Sequence, residues 1–138
     1  MRLILDTNVI VAGMCSPAGA SAAILRSIRR EEAALLLSVP LAIEYEAVCQ
    51  RAEHRLAAGL NLRQVDIFMT AVIAMAEPVE THFLWRPQLR DPNDEIVLEA
   101  AVNGRADALV TFNVRDFGKA PERFGVELLL PRETIVRI

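Results

Sequence analysis

Short, wholly apolar runs alternate along this chain with longer segments whose apolar residues recur at helical spacing. Leu3-Ile4-Leu5, Ala34–Leu37, Ala108–Phe112 and Val126–Leu130 are runs of the first kind and predict buried strands, with Val79–Phe83 as a further strand in the middle of the chain. Thr7–Cys15 reads as a loop or short helix, and Ser16-Pro17-Ala18-Gly19 as a break. Ser21 then caps a helix to about Glu32 with Ile24, Leu25 and Ile28 on its apolar face. Pro40 suits the first turn of a helix reaching about Arg55, with Leu41, Tyr45 and Val48 inward. Gly59 interrupts, and Asn61 caps a helix through Val65, Phe68, Met69, Val72 and Met75 that stops near Pro78. After a loop from Trp85 to Pro92, a helix carrying Ile96, Val97, Ala100 and Ala101 ends at Gly104. Asn113–Lys119 reads as a loop and Pro131–Ile138 as a last helix. Alternation of this kind predicts one domain, residues 1–138, of the α/β class: a central, mainly parallel sheet covered by helices on both faces.

Composition narrows the field. The chain has 138 residues, 53% of them hydrophobic but only 5% aromatic, so aliphatic side chains must build the core. A formal net charge of −3 excludes a strongly basic nucleic-acid footprint. It does not exclude a nuclease, because a site built from carboxylates makes a chain acidic until cations and substrate bind. Lys119 is the single lysine, and the other basic residues are arginines. Arginine matches phosphate through its planar fork, although a GC-rich genome supplies arginine for unrelated reasons. Cys15 and Cys49 lack zinc or redox spacing and read as reduced, small hydrophobes. No signal-peptide pattern opens the sequence, and Ile67–Ala76 is too short an apolar stretch to cross a bilayer, so a cytoplasmic protein without a membrane partner is expected.

The chemistry is carried by carboxylates. Asp6 closes the first strand, where α/β folds gather their ligands. Glu44/Glu46, Asp91/Asp94 and Asp116 each lie beside an apolar segment able to bring them to the same edge. Converging carboxylates repel one another and call for a cation between them. Each residue also has a plainer explanation. Asp6-Thr7-Asn8 is good turn chemistry. Glu44 and Glu46 point about 200° apart on a helix, so only one can face a shared ion. Asp94 suits a helix dipole, Asp91 an N-cap, and Asp116 a loop ion pair with Arg115. Ser38 and Thr111, at strand ends, can orient a carboxylate or satisfy a local backbone donor. His54 and His82 are not spaced as metal partners, Trp85 can stack on a base or close the core, and Arg86, Arg90, Arg115 and Arg123 can guide phosphates or simply be solvated. The Phe68–Met75 face serves either a buried core helix or a contact with another chain.

Taken in order, four segments resemble the PIN-domain family across essentially the whole chain: Leu5-Asp6-Thr7-Asn8-Val9-Ile10, Ser38 through Glu44, Asp91-Pro92-Asn93-Asp94-Glu95-Ile96, and Ala106 through Asn113 followed by Arg115-Asp116-Phe117. Tyr45-Glu46-Ala47-Val48 after Glu44 and the Pro-Asn-Asp before Glu95 resemble the bacterial toxin–antitoxin subgroup of VapC-like ribonucleases. The resemblance implies a PIN-like three-layer α/β/α sandwich and a Mg²⁺- or Mn²⁺-dependent endoribonuclease. By motif position Asp6, Glu44 and Asp94 carry over as metal-binding carboxylates, with Asp116 as the fourth catalytic acid. Asn8, Ser38, Thr111 and Asn113 carry over as auxiliary groups. A slot acidic in many members holds the neutral Asn113, which leaves a second metal open. RNA substrate, cognate antitoxin and homodimer are the implied partners. Mg²⁺ and Mn²⁺ suit such a set because they prefer carboxylate and water oxygens.

Other classes compete. A PIN-fold module that binds without cleaving, or cleaves weakly, is kept open by Asn113. A nuclease for structured DNA would share the carboxylates. A phosphotransferase using Asp6 as nucleophile would need a second Asp where Asn8 stands and a lysine near the phosphate.

Overall fold

The computed structural model describes residues 1–82 and 87–138. The end of the strand expected over Val79–Phe83, Trp85 and Arg86 lie outside the described residues. The described strands are β1 (Arg2–Leu5), β2 (Ala34–Leu37), β3 (Ala76–Pro78), β4 (Ala108–Val110) and β5 (Glu127–Leu129). They form one sheet in the order β3-β2-β1-β4-β5, every pairing parallel. The chain therefore starts in the middle, travels outward through β2 to β3, then crosses back to the other side of β1 for β4 and β5. Right-handed crossovers in these two directions put helices on opposite faces, and this is the expected PIN-like α/β arrangement. The apolar runs are buried because both faces are covered: Leu3, Ile4, Leu5, Leu35, Leu36, Leu109 and Val110 are fully enclosed.

Between β1 and β2 lie α1 (Thr7–Cys15) and α2 (Ala20–Arg29). Thr7–Cys15 is a helix, not a loop, because the Asp6 carboxylate accepts from the Thr7 amide as its N-cap. Ser21 is not the cap of α2. Gly19 holds that position without a side-chain bond, and Ser21 sits buried one residue into the helix. The helix stops at Arg29, and Glu31 takes a φ of 62° in the turn toward β2. The single helix expected from Pro40 to Arg55 is two: α3 (Val39–Cys49) and α4 (Ala52–Ala58), separated where Arg51 adopts an extended conformation. Leu41, Tyr45 and Cys49 form the inward stripe of α3, while Val48 is only half-buried. Helix α5 (Leu62–Ala74) has the expected cap, with Asn61 and Gln64 bonding each other's backbone amides. Its Val65, Met69 and Val72 are buried, with Phe68 and Met75 packed against the core.

The described part of the strand expected over Val79–Phe83, residues 79–82, is not a strand, and β3 lies before it. Ala76, Glu77 and Pro78 pair with Leu35, Leu36 and Leu37, and the Val79 amide bonds the Leu37 carbonyl. The strand is short, exposed at Glu77 and Pro78, and at the sheet edge, where a proline is tolerated. Alternation of buried residues is thus missing, and an apolar-run criterion passes over it. Helix α6 (Pro92–Asn103) packs against β1, β2 and β4. The expected loop over Asn113–Lys119 contains a short helix, α7 (Val114–Phe117), followed by α8 (Ala120–Arg123). Helix α9 (Pro131–Ile135) completes the described chain.

One polar bond fixes the height of β1 against α3. The Tyr45 hydroxyl, fully buried, donates to the Leu5 carbonyl, one residue before Asp6. Tyr45→Phe is expected to lower unfolding free energy by about 1–3 kcal/mol, the cost of leaving a buried acceptor unsatisfied, as read by urea denaturation. A variant as stable as the parent would show that this bond does not hold the strand end in place.

Candidate active site

The carboxyl ends of β1 and β4 meet where the sheet reverses its direction of travel, the point at which open α/β sheets bind ligands. The Asp6 amide bonds the Val110 carbonyl at 2.9 Å, so Asp6 and Thr111 leave the sheet side by side. Asp6 is 7% exposed and both its oxygens are engaged: Oδ1 accepts from the Thr7 amide at 2.8 Å, and Oδ2 from the Thr111 hydroxyl at 2.7 Å. Each carboxylate oxygen keeps a second lone pair beyond these bonds. The single Thr111 proton goes to Asp6, so its oxygen is left to accept from the Asn113 amide at 3.0 Å and Asn8 Nδ2 at 3.5 Å. That order turns the Asn8 amide nitrogen toward Thr111 and leaves Asn8 Oδ1 buried without a protein donor.

Glu44 reaches the same place from α3. Its Oε2 accepts from the Thr7 hydroxyl at 2.8 Å, and Thr7 itself is held by Asp6. Thr7 therefore links two of the three expected carboxylates, a role the sequence reading did not give it. The usable signal was a hydroxyl residue directly after the strand-end acid. Glu46, two residues on, has no bond to this cluster, as the opposed helical positions require. The Ser38 hydroxyl accepts from the Leu41 amide at 3.3 Å and caps α3, the local backbone role that is one of its two readings. Asp91 caps α6 as expected, accepting from the Asn93 amide at 2.9 Å. Asp94 projects from the first turn of α6, half-buried, and lines a groove of about 470 Å³ together with Asp91 and Asp116. Asp116 is exposed on α7, and among the described residues it forms no ion pair with Arg115. His54 and His82 sit elsewhere, beside Glu53 and Glu80.

Burial and neighbouring carboxylates raise three of these acids. Burial pushes the Asp94 carboxyl up to about 6, with further upward pressure from Asp6, Asp91, Asp116 and Glu44. Burial also raises Asp6, against the Thr111 and Thr7 hydrogen bonds, and Asp116 and Asp91 push the same way. Burial raises Glu44, with the Thr7 bond opposing and Asp6 and Asp91 adding to the rise. Tyr45, beneath them, is raised by burial first and then by Asp6 and Glu44. Asp94 thus feels Asp6 and Glu44, and Glu44 feels Asp6, although the groove lined by Asp94, Asp91 and Asp116 is not itself lined by Asp6 or Glu44. Among the described residues, no three His, Cys, Asp or Glu side chains are drawn into an arrangement that would already grip an ion. The donor chemistry nevertheless fits a hard divalent cation: carboxylate oxygens under mutual repulsion, and a buried amide oxygen on Asn8 with no donor.

Fold and site together define an α/β protein with an acidic centre at its topological switch point. The sequence profile of the PIN domain family matches residues 2–115, and the chain belongs to that family. PIN domains are generally nucleases that depend on a divalent metal. A chain in the crystal structure of VapBC2 from Rickettsia felis bound to a DNA fragment from their promoter superposes with a TM-score of 0.64 at 15% identity, covering 94% of this chain and 98% of that one. This likeness is one of fold. No curated protein matches the chain.

The raised carboxyls carry a stability consequence. Between the ordinary value of 3.8 and about 6, Asp94 holds more protons in the folded than in the unfolded chain. Its contribution therefore favours the fold at low pH and is lost as pH rises through about 6. Asp6 and Glu44 act in the same direction. In EDTA, Asp94→Asn is expected to flatten the fall in stability between pH 5 and pH 7, measured by urea denaturation at each pH. An identical fall in parent and variant would remove Asp94 from the charged cluster.

Proposed function

We propose that this PIN domain is a Mg²⁺- or Mn²⁺-dependent endoribonuclease, the toxin half of a toxin–antitoxin pair acting in the cytoplasm. The observation that carries the proposal is that Asp94, on α6, is raised to about 6 by burial and then by carboxylates that include Asp6 and Glu44 from two other elements. Asp6, Glu44 and Asp94 would hold the ion, and when bound it would supply an activated water and polarise a phosphoryl oxygen.

The chain's own residues do the positioning. Thr111 and Thr7 fix the Asp6 carboxylate from both sides, and Thr7 fixes Glu44 to the same frame. Asn8 Oδ1 is a buried acceptor with no donor among the described residues, and Asp116 lines the groove on which Asp94 opens. No histidine, cysteine or lysine nucleophile is needed. A phosphodiester cleaved in line there would leave a 5′-phosphate and a 3′-hydroxyl.

The antitoxin rests on the toxin–antitoxin subgroup that the motifs resemble and on the shared fold with the VapBC2 crystal structure. An antitoxin segment placing an arginine among the carboxylates would complement their charge. Exposed Leu62, Ile67 and Ile73 on α5 favour a homodimer. Among the described residues no single helix is long and apolar enough to cross a membrane.

Purified protein is expected to cleave single-stranded RNA in Mn²⁺ and to stop in EDTA. Asp6→Asn, Glu44→Gln and Asp94→Asn should each lower the rate by a factor on the order of 100 or more, and Thr111→Val by roughly 10–100 through loss of carboxylate orientation. Mn²⁺ binding, followed by the loss of the free-ion EPR signal, should weaken in the same variants. RNA binding without cleavage by parent and variants alike would instead establish a binding module, and preferential cleavage of flap DNA would establish a DNA nuclease.

A further inference from the structure

The groove on which Asp94 opens has a second chemistry. Arg90 lines it from the approach to α6, and Arg115, Lys119 and Arg123 line it from α7 and α8. All four are exposed, and the chain's single lysine is among them. Asp91, Asp94 and Asp116 line the same groove, yet among the described residues none of the four cations forms an ion pair with any carboxylate. Among the described residues Arg2, Arg30 and Arg137 are the arginines that pair with acids. The charges that raise Asp94 most are carboxylates. The groove is therefore lined both by acids and by cations that form no ion pairs with them.

Glu95, in the first turn of α6, accepts from the backbone amides of Gln88 and Leu89 and so ties the segment leading to Arg90 to the helix bearing Asp94. Between Asp116 and Lys119 in the chain, Gly118 takes φ +52° and ψ −127°, a conformation closed to other residues. In a chain of net charge −3, attraction for a polyanion must be local, and four exposed cations line this groove beside the acids.

We propose that Arg90, Arg115, Lys119 and Arg123 seat the backbone phosphates of a single-stranded RNA along the groove that Asp94 and Asp116 also line. The inference deepens the nuclease proposal and rests on it for the position of the cleaved bond. These side chains hold phosphates, not base edges. They set affinity and register along the strand and confer no sequence preference.

The test is binding of a fluorescein-labelled single-stranded RNA to the full chain in Ca²⁺, by anisotropy across a salt series, with probe integrity checked on a gel. Each phosphate neutralised on a single strand contributes a slope of about −0.7 in log K against log salt. Arg115→Gln/Lys119→Gln/Arg123→Gln is expected to make the slope shallower by about 2 and to weaken binding about tenfold at low salt, equally for unrelated sequences. The single substitutions should each remove about 0.7 from the slope, which keeps the test valid if the triple variant misfolds. Arg115→Lys/Arg123→Lys should retain the slope. A single-stranded DNA of equal length, carrying the same phosphates, should show the same slopes. Arg29→Gln, at the end of α2 on the other edge of the sheet, is the control.

Slopes unchanged from the control, or a slope seen with RNA and not with DNA, would overturn the inference. Cleavage by the parent protein in Mn²⁺ would then leave the nuclease proposal standing. Salt-dependent binding that the substitutions weaken, without any cleavage, would uphold the groove and remove the nuclease.

Discussion

The repulsion among partly buried carboxylates at the end of β1 is the constraint around which the rest of the molecule is organised. Left to themselves, Asp6, Glu44, Asp94 and Asp116 would spread into solvent. The parallel sheet prevents that for Asp6, because its backbone amide is bonded to β4 and its carboxylate is enclosed. Helix α3 prevents it for Glu44, since Tyr45, the adjacent residue, is locked to the Leu5 carbonyl. Helix α6 prevents it for Asp94, whose first-turn position is set by the Asp91 cap. Folding energy from the aliphatic core is thus used to hold like charges together, an arrangement unfavourable by itself and matched to a cationic ligand.

Hydrogen bonding decides how that repulsion is distributed. Asp6, the most buried acid, has two donors on it, and both oppose the rise that burial imposes. Asp94 has no such donor among the causes of its shift, and it is the one raised to about 6. The pocket therefore contains acids of unlike character: Asp6 is oriented and Asp94 is poised. The Thr7 backbone amide and the Thr111 hydroxyl produce this difference, and neither carries charge.

Much of this was legible in the sequence, for physical reasons that differ by element. The central strands were visible because covering both faces of a parallel sheet forces continuous apolar runs, as at Leu3-Ile4-Leu5 and Leu35-Leu36-Leu37. Strand β3 escaped because an edge strand ending in Glu77 and Pro78 needs no such run. The break between α3 and α4 also escaped. No glycine or proline marks it, and it is made by the extended backbone of Arg51. At the site, acids at strand ends and helix starts could be paired with elements whose geometry is known. Hydroxyl partners could not, because a serine that caps a helix and a threonine that orients an acid look alike until donors are assigned. Ser38 and Thr111 were both candidates in sequence, each at a strand end. Only the second bonds a carboxylate.

The same limit explains why the groove's mixed lining is a structural finding. In sequence Arg115 and Asp116 are neighbours, and adjacent opposite charges suggest a local ion pair. On a helix adjacent residues point about 100° apart, and among the described residues these two form no ion pair although both line the groove. A cluster whose net charge is small can then offer carboxylates to a cation and guanidinium groups to a phosphate. A chain of net charge −3 can meet a polyanion on those terms, because the field that matters is local to the groove and falls off within about 10 Å at moderate salt.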